Sequence, residues 1–107
     1  VSTIRIVTDS SCDLPASQAA SAGIEIVPLT IRFGDTEFVD RLELSTAEFW
    51  TRCATSPALP ETAAPPPGAF EEIYRKLAEQ GASGVLVVTL SAALSATMQS
   101  AQVAARA

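Results

Sequence analysis

The chain has 107 residues, 48% of them hydrophobic, a formal net charge of −5 and no histidine. That length and apolar content support one domain with a real core and exclude a disordered chain. The seven basic residues are scattered through an acidic chain, which argues against nucleic acid, because a phosphate-binding surface needs clustered Lys and Arg.

Without histidine, neither a Ser-His-Asp triad nor a zinc site of the usual kind can be built within this chain. Cys12 and Cys53 match no C-x-x-C or metal spacing. The sequence shows no signal peptide and no run long enough to span a bilayer. The expectation is a soluble protein of a reducing compartment, the cytoplasm. The start at Val1 without a methionine, and the end at Ala107 inside a helical pattern, predict a piece of a longer protein or a processed product.

In chain order, T-I-R-I-V-T over residues 3–8 predicts a first strand, with Ile4, Ile6 and Val7 supplying its apolar faces. It breaks at D-S-S-C-D-L-P, residues 9–15. Asp13 followed by Pro15 predicts a helix start, with an acceptor for free N–H groups and a fixed φ in the first turn. The helix runs over residues 14–22, and Gly23 is its natural end. Residues 24–29 predict a second strand, with Pro28 near its end because proline cannot donate to a ladder. Residues 31–39 predict a β-hairpin around Gly34-Asp35. Ser45-Thr46-Ala47-Glu48 is a capping box, and the helix it starts is expected to turn Phe49, Trp50 and Cys53 toward an apolar neighbour.

Residues 56–68, S-P-A-L-P-E-T-A-A-P-P-P-G, predict a proline-rich connection without secondary structure. A loop of that length in a compact domain is often functional. An amphipathic helix follows, with Phe70, Ile73, Tyr74 and Leu77 at i, i+3, i+4 and i+7, Glu71 and Glu72 in its first turn, and Gly81 at its end. Residues 84–101 begin with the apolar run Val85–Val88, expected to be a strand buried on both faces. They then become rich in hydroxyls at Thr89, Ser91, Ser95, Thr97 and Ser100, and finish as a small-residue helix. The predicted fold class is therefore α/β, a mostly parallel sheet flanked by helices with one β-hairpin excursion.

In such folds ligands sit beyond the carboxyl ends of the strands, where residues 9–12 and 91–95 both fall. Ser91, Ser95 and Thr97, with backbone N–H groups at a helix start, can hold a carboxylate or phosphate. They can equally be plain helix caps. Asp9, Ser10, Ser11 and Asp13 can approach a metal or phosphate, or form an Asx-turn plus a cap. Cys12 lies near a helix start but has no histidine partner. Thr62 is the one hydroxyl in the middle of the proline-rich loop, and its interest depends on whether that loop packs near Ser95.

Several stretches together resemble one family. T-D-S-S-C-D-L-P is similar to the strand-end motif of DegV-family proteins, and I-V-P-L-T-I-R-F-G-D-T-E-F-V-D to their second strand and hairpin. P-E-T-A-A-P-P-P-G-A-F stands where the family carries P-x-T-S-Q-P-S-P-G-x-F, and L-S-A-T-M-Q-S-A where it carries L-S-G-T-Y-Q-S-A. The resemblance implies the N-terminal α/β domain, residues 1–107, of a two-domain protein. It implies no enzyme and no cofactor or metal. The ligand implied is a long-chain fatty acid, enclosed between the domains and presented to a partner fatty-acid kinase. It implies that Thr62 and Ser95 hold the carboxylate, with Ser91 and Thr97 as weaker neighbours.

The chain departs from the family pattern at Ala63 and Ala64 (for Ser and Gln), Pro66 (for a serine cap), Ala96 (for Gly) and Met98 (for Tyr). The second domain, and the histidine it contributes near the head group, are absent from this chain. Two rival readings stand beside this one. One is a small-molecule enzyme using Asp9 with a metal. The other is a non-binding assembly domain, with self-association of the isolated domain through an apolar patch.

Overall fold

The structure, a computed structural model, describes residues 3–107; the reading of Val1 as an unusual start lies outside them. The apolar alternation of the first strand forms β1 (Ile4–Asp9), followed by a single 3-10 turn at Ser10–Cys12. Helix α1 (Ala16–Ala22) starts two residues later than predicted and ends at Gly23, whose φ of 71° is the left-handed conformation glycine adopts without strain. Then come β2 (Ile24–Val27), the hairpin strands β3 (Thr30–Phe33) and β4 (Thr36–Val39), and helix α2 (Thr46–Thr55). A short strand β5 (Pro60–Ala63), helix α3 (Pro67–Glu79), strand β6 (Gly84–Val88) and helix α4 (Thr97–Ala105) complete the fold.

The α/β class holds, and its strands divide into two small sheets. One is fully parallel in the order β2-β1-β6, and the other is antiparallel in the order β4-β3-β5. Each has its own core. Val7 and Val27 of the parallel sheet pack with Phe70 and Leu77 of α3 and with Ala101 and Ala104 of α4. Ile31, Phe33 and Leu44 form the second cluster, against Phe38, Phe49 and Cys53.

The periodicity of α3 does what it predicts: Phe70 and Leu77 are fully buried, and Ile73 and Tyr74 pack beside them. Tyr74 donates its hydroxyl to the Ala101 carbonyl at 3.0 Å, and burial pushes its pKa up. The helix begins at Pro67, so Glu71 and Glu72 lie beyond its first turn. Pro66 precedes it without a side-chain cap, as the missing serine predicts.

Three expectations are corrected. The proline-rich stretch is not structureless, because β5 pairs with β3 in the register Ile31↔Thr62 and Arg32↔Glu61. Arg32 and Glu61 also pair by charge across that ladder, an exposed pair worth little in stability. Trp50 points outward, 65% exposed, while its neighbours Phe49 and Cys53 pack inward. Strand β6 is not covered on both faces. Only one face of the parallel sheet meets α3 and α4, and Ile4 (60% exposed), Leu86 (54%) and Val88 (53%) stand open on the other. An apolar run reports what a strand can bury, not how many partners it finds.

The capping box at α2 is formed in full: Ser45 Oγ accepts from Glu48 N–H at 3.1 Å, and Glu48 Oε1 accepts from Ser45 N–H at 3.3 Å. The Ser45 hydroxyl, then its backbone N–H, hold the Glu48 carboxyl below its ordinary value of 4.5. A depressed carboxylate contributes above the unfolded pKa, and the contribution is lost as pH falls through the folded one. The Ser45 amide resonance should therefore titrate at acid pH, below the ordinary glutamate range. In Glu48→Gln that titration should vanish; an unchanged profile would refute the assignment.

Candidate functional site

The two strand ends expected to carry chemistry lie side by side, because β1 and β6 are parallel neighbours. Asp9 closes this edge. It is 1% exposed and accepts from Ser11 N–H at 2.8 Å, from the Ser11 hydroxyl, and from Leu90 N–H at 2.9 Å. The Asx-turn is thus real, with Asp9 as the capping residue. Asp13 caps nothing: it sits beyond the turn at φ 59°, and Pro15 occupies the position before α1. With both oxygens of Asp9 accepting from the chain itself, the carboxylate is poorly placed to serve as a metal ligand. Among the described residues no three His, Cys, Asp or Glu side chains gather as a metal group.

Beyond β6 the chain makes a turn closed by Leu94 N–H and Ser95 N–H donating to the Ser91 carbonyl at 2.9 and 3.1 Å. Ser91 Oγ accepts from Ala93 N–H at 3.2 Å, a bond inside this turn and not a cap of α4, which begins at Thr97. Ser95 is half-buried at the entrance to α4. Its Oγ accepts from Thr97 N–H at 3.2 Å and lies 2.8 Å from Thr97 Oγ1. Thr97 is fully buried, so of this pair Ser95 is the one that a ligand can reach. Thr97 acts as its support.

No charged side chain occurs between residues 84 and 105. The first-turn amides of α4 therefore supply the electropositive character of this edge, as at any helix N-terminus. Ala96 has φ −81°, an ordinary value for any L-residue, so the alanine that replaces the family's glycine brings no backbone strain.

Thr62 sits elsewhere. It is exposed on the edge strand β5, opposite Ile31. The small open pocket it lines is made with Thr30, Arg32, Glu37, Glu61 and Ala63, without Ser95. Among the described residues no hydrogen bond joins Thr62 to Ser95. Thr62 belongs to the antiparallel sheet, and Ser95 lies between β6 of the parallel sheet and α4.

Arg41 was not foreseen. It lies between β4 and α2, half-buried, with the left-handed φ of 69°. Its guanidinium donates to the carbonyls of Leu14 and Ser10 and lies 3.8 Å from Cys12 Sγ. No local pattern marks such a residue, since its partners are 27 to 31 positions away.

Together these features define an α/β domain whose Ser95 edge offers neutral hydroxyls and helix amides. The chain belongs to the DegV family: the model of that family, described as an uncharacterised protein, matches residues 3–107. A DegV domain-containing protein of Streptomyces coelicolor is 41% identical over 103 residues, covering 96% of this chain and 36% of the relative. Among solved structures, a DegV family protein of Thermus thermophilus described as fatty-acid binding superposes with a TM-score of 0.85 at 35% identity. That match covers 97% of this chain and 37% of the other. A stearic-acid-binding protein of Eubacterium ventriosum superposes with a TM-score of 0.89 at 29% identity, covering 97% and 36%. The chain thus spans about a third of the length of the relatives it matches. No helix among the described residues is long and apolar enough to cross a membrane.

Proposed function

We propose that this chain is the N-terminal domain of a two-domain cytoplasmic carrier of long-chain fatty acids, which holds the acyl carboxylate on Ser95 and Thr62 and presents it to a fatty-acid kinase. The observation that carries this reading is the likeness, over 97% of the chain, to proteins solved as fatty-acid binders. The local chemistry agrees. Ser95 is reachable, preoriented by Thr97 and next to the first turn of a nine-residue helix, an arrangement that favours an anion. Thr62 offers a second neutral donor from the other sheet, and the carboxylate is the bridge between them. Among the described residues neither hydroxyl is hydrogen-bonded to a base that would activate it, so holding the head group rather than transforming it is the role they suit. Leu86 and Val88 stand open on β6, the strand that leads to Ser95, leaving apolar surface for a second domain or the tail to cover.

The test is direct. The purified protein, extracted under denaturing conditions, should release about one equivalent of a long-chain fatty acid, read by mass spectrometry. Absence of any such acid would count against carriage by this chain. It would favour the second reading, an assembly domain that uses the same exposed sheet face to associate with a copy of itself.

A further inference from the structure

Two observations converge on Arg41. First, among the described residues only Asp13 and Arg41 are non-glycine residues with positive φ, 59° and 69°, and both line one cleft formed by the segments that lead into α1 and α2. Strained backbone of this kind persists only where its surroundings hold it in place. Second, Arg41 forms no ion pair among the described residues. Its cation is committed to two main-chain carbonyls of the segment that follows β1, Leu14 and Ser10. A planar guanidinium reaching two carbonyls fixes orientation as well as distance.

The segment it grips is also held from the other side. The neighbouring Asp9 carboxylate accepts from Leu90 N–H, just ahead of the Ser91–Ser95 turn. Ser10 Oγ accepts from Leu29 N–H at 2.9 Å, where β2 leads into the antiparallel sheet. On its own side Arg41 is anchored by its N–H to the Leu44 carbonyl at 3.0 Å, and it follows β4, which pairs with β3, which pairs with the strand carrying Thr62. A continuous set of hydrogen bonds therefore runs from the Ser95 turn through Asp9 and the Ser10–Leu14 segment to Arg41 and the Thr62 sheet.

We propose that Arg41 is a positioning residue: it locks the two sheets together and thereby sets the spacing of Ser95 and Thr62 across which a carboxylate is held. This rests on the fatty-acid reading for the ligand, but the lock itself is testable without one. In the whole chain, residual dipolar couplings from the parallel and antiparallel sheets should fit one alignment tensor. In Arg41→Gly, where glycine relieves the left-handed backbone, they should require two. The preference for palmitate over its methyl ester, measured by displacement of a fluorescent acyl probe, should fall about tenfold. Arg41→Asn, another residue that tolerates this φ, should behave alike and serves if the glycine variant does not fold.

A single shared tensor in these variants overturns the proposal, and so does an intact acid-over-ester preference alongside two tensors. A wild-type chain with no preference for the acid fails the carboxylate reading instead. The tensor comparison then decides the lock alone.

Discussion

Replacing Ser95 and Thr62 together by alanine is expected to weaken binding of a long-chain fatty acid by roughly 100-fold, and each alone by about 10-fold. The estimate comes from hydrogen bonds to a charged group, worth ~1.5–3 kcal/mol each, at ~1.4 kcal/mol per tenfold. The methyl ester of the same acid should lose far less, because it presents no charge for the donors to stabilise. The two sites differ in their side effects. Thr62 is exposed on an edge strand, so its truncation should leave stability almost unchanged. Ser95→Ala also removes the acceptor for Thr97 N–H and the partner of a buried hydroxyl, adding a stability loss of about 1 kcal/mol. Affinities are therefore to be compared by titration well below the melting temperature of each variant. Unchanged affinity in the double variant would remove both residues from the site.

Asp9→Ala should be the most destabilising single change at this edge, by ~3 kcal/mol, because three donors lose a charged acceptor at once in a buried place. For a domain of this size that is a fall of very roughly 10–20 °C in the melting temperature. Asp9→Asn keeps the shape and one acceptor oxygen and should cost less than half as much. If these three bonds contributed little, Asp9→Ala would melt close to the unsubstituted chain. Thermal melts of the two variants separate these outcomes. Amide exchange at Leu90 should quicken in Asp9→Ala ahead of global unfolding, since its N–H loses its acceptor.

Local signals and long-range ones fared differently. The i, i+3, i+4, i+7 stripe of α3, the Ser45/Glu48 capping box and the Gly34-Asp35 hairpin turn were all legible, because each is a contact between residues a few positions apart. At Asp9 and Asp13 the composition allowed two caps, and geometry chose between them. The bond from Leu90 N–H to Asp9 spans 81 positions, so no window around either aspartate reveals it. Strand β5 was missed for a related reason. Three of its four residues, Pro60, Glu61 and Ala63, are poor strand formers, and it is a strand because β3 offers it a ladder. Arg41 left no signal at all, being a lone cation among acidic and apolar neighbours.

By itself the sequence determined the α/β class, most helices and strands, the family, and the two hydroxyls worth attention. Those follow from periodicity, turn chemistry and motif order, which are carried along the chain. Tertiary structure alone decided that the strands form two sheets with separate cores, that Thr97 supports Ser95 from a buried position, and that one face of the parallel sheet stands open. It alone decided that Thr62 lies on the antiparallel sheet while Ser95 follows the last strand of the parallel one. Each of these depends on which distant backbone amides and carbonyls find each other, and a buried polar group is satisfied by whatever the fold brings near it.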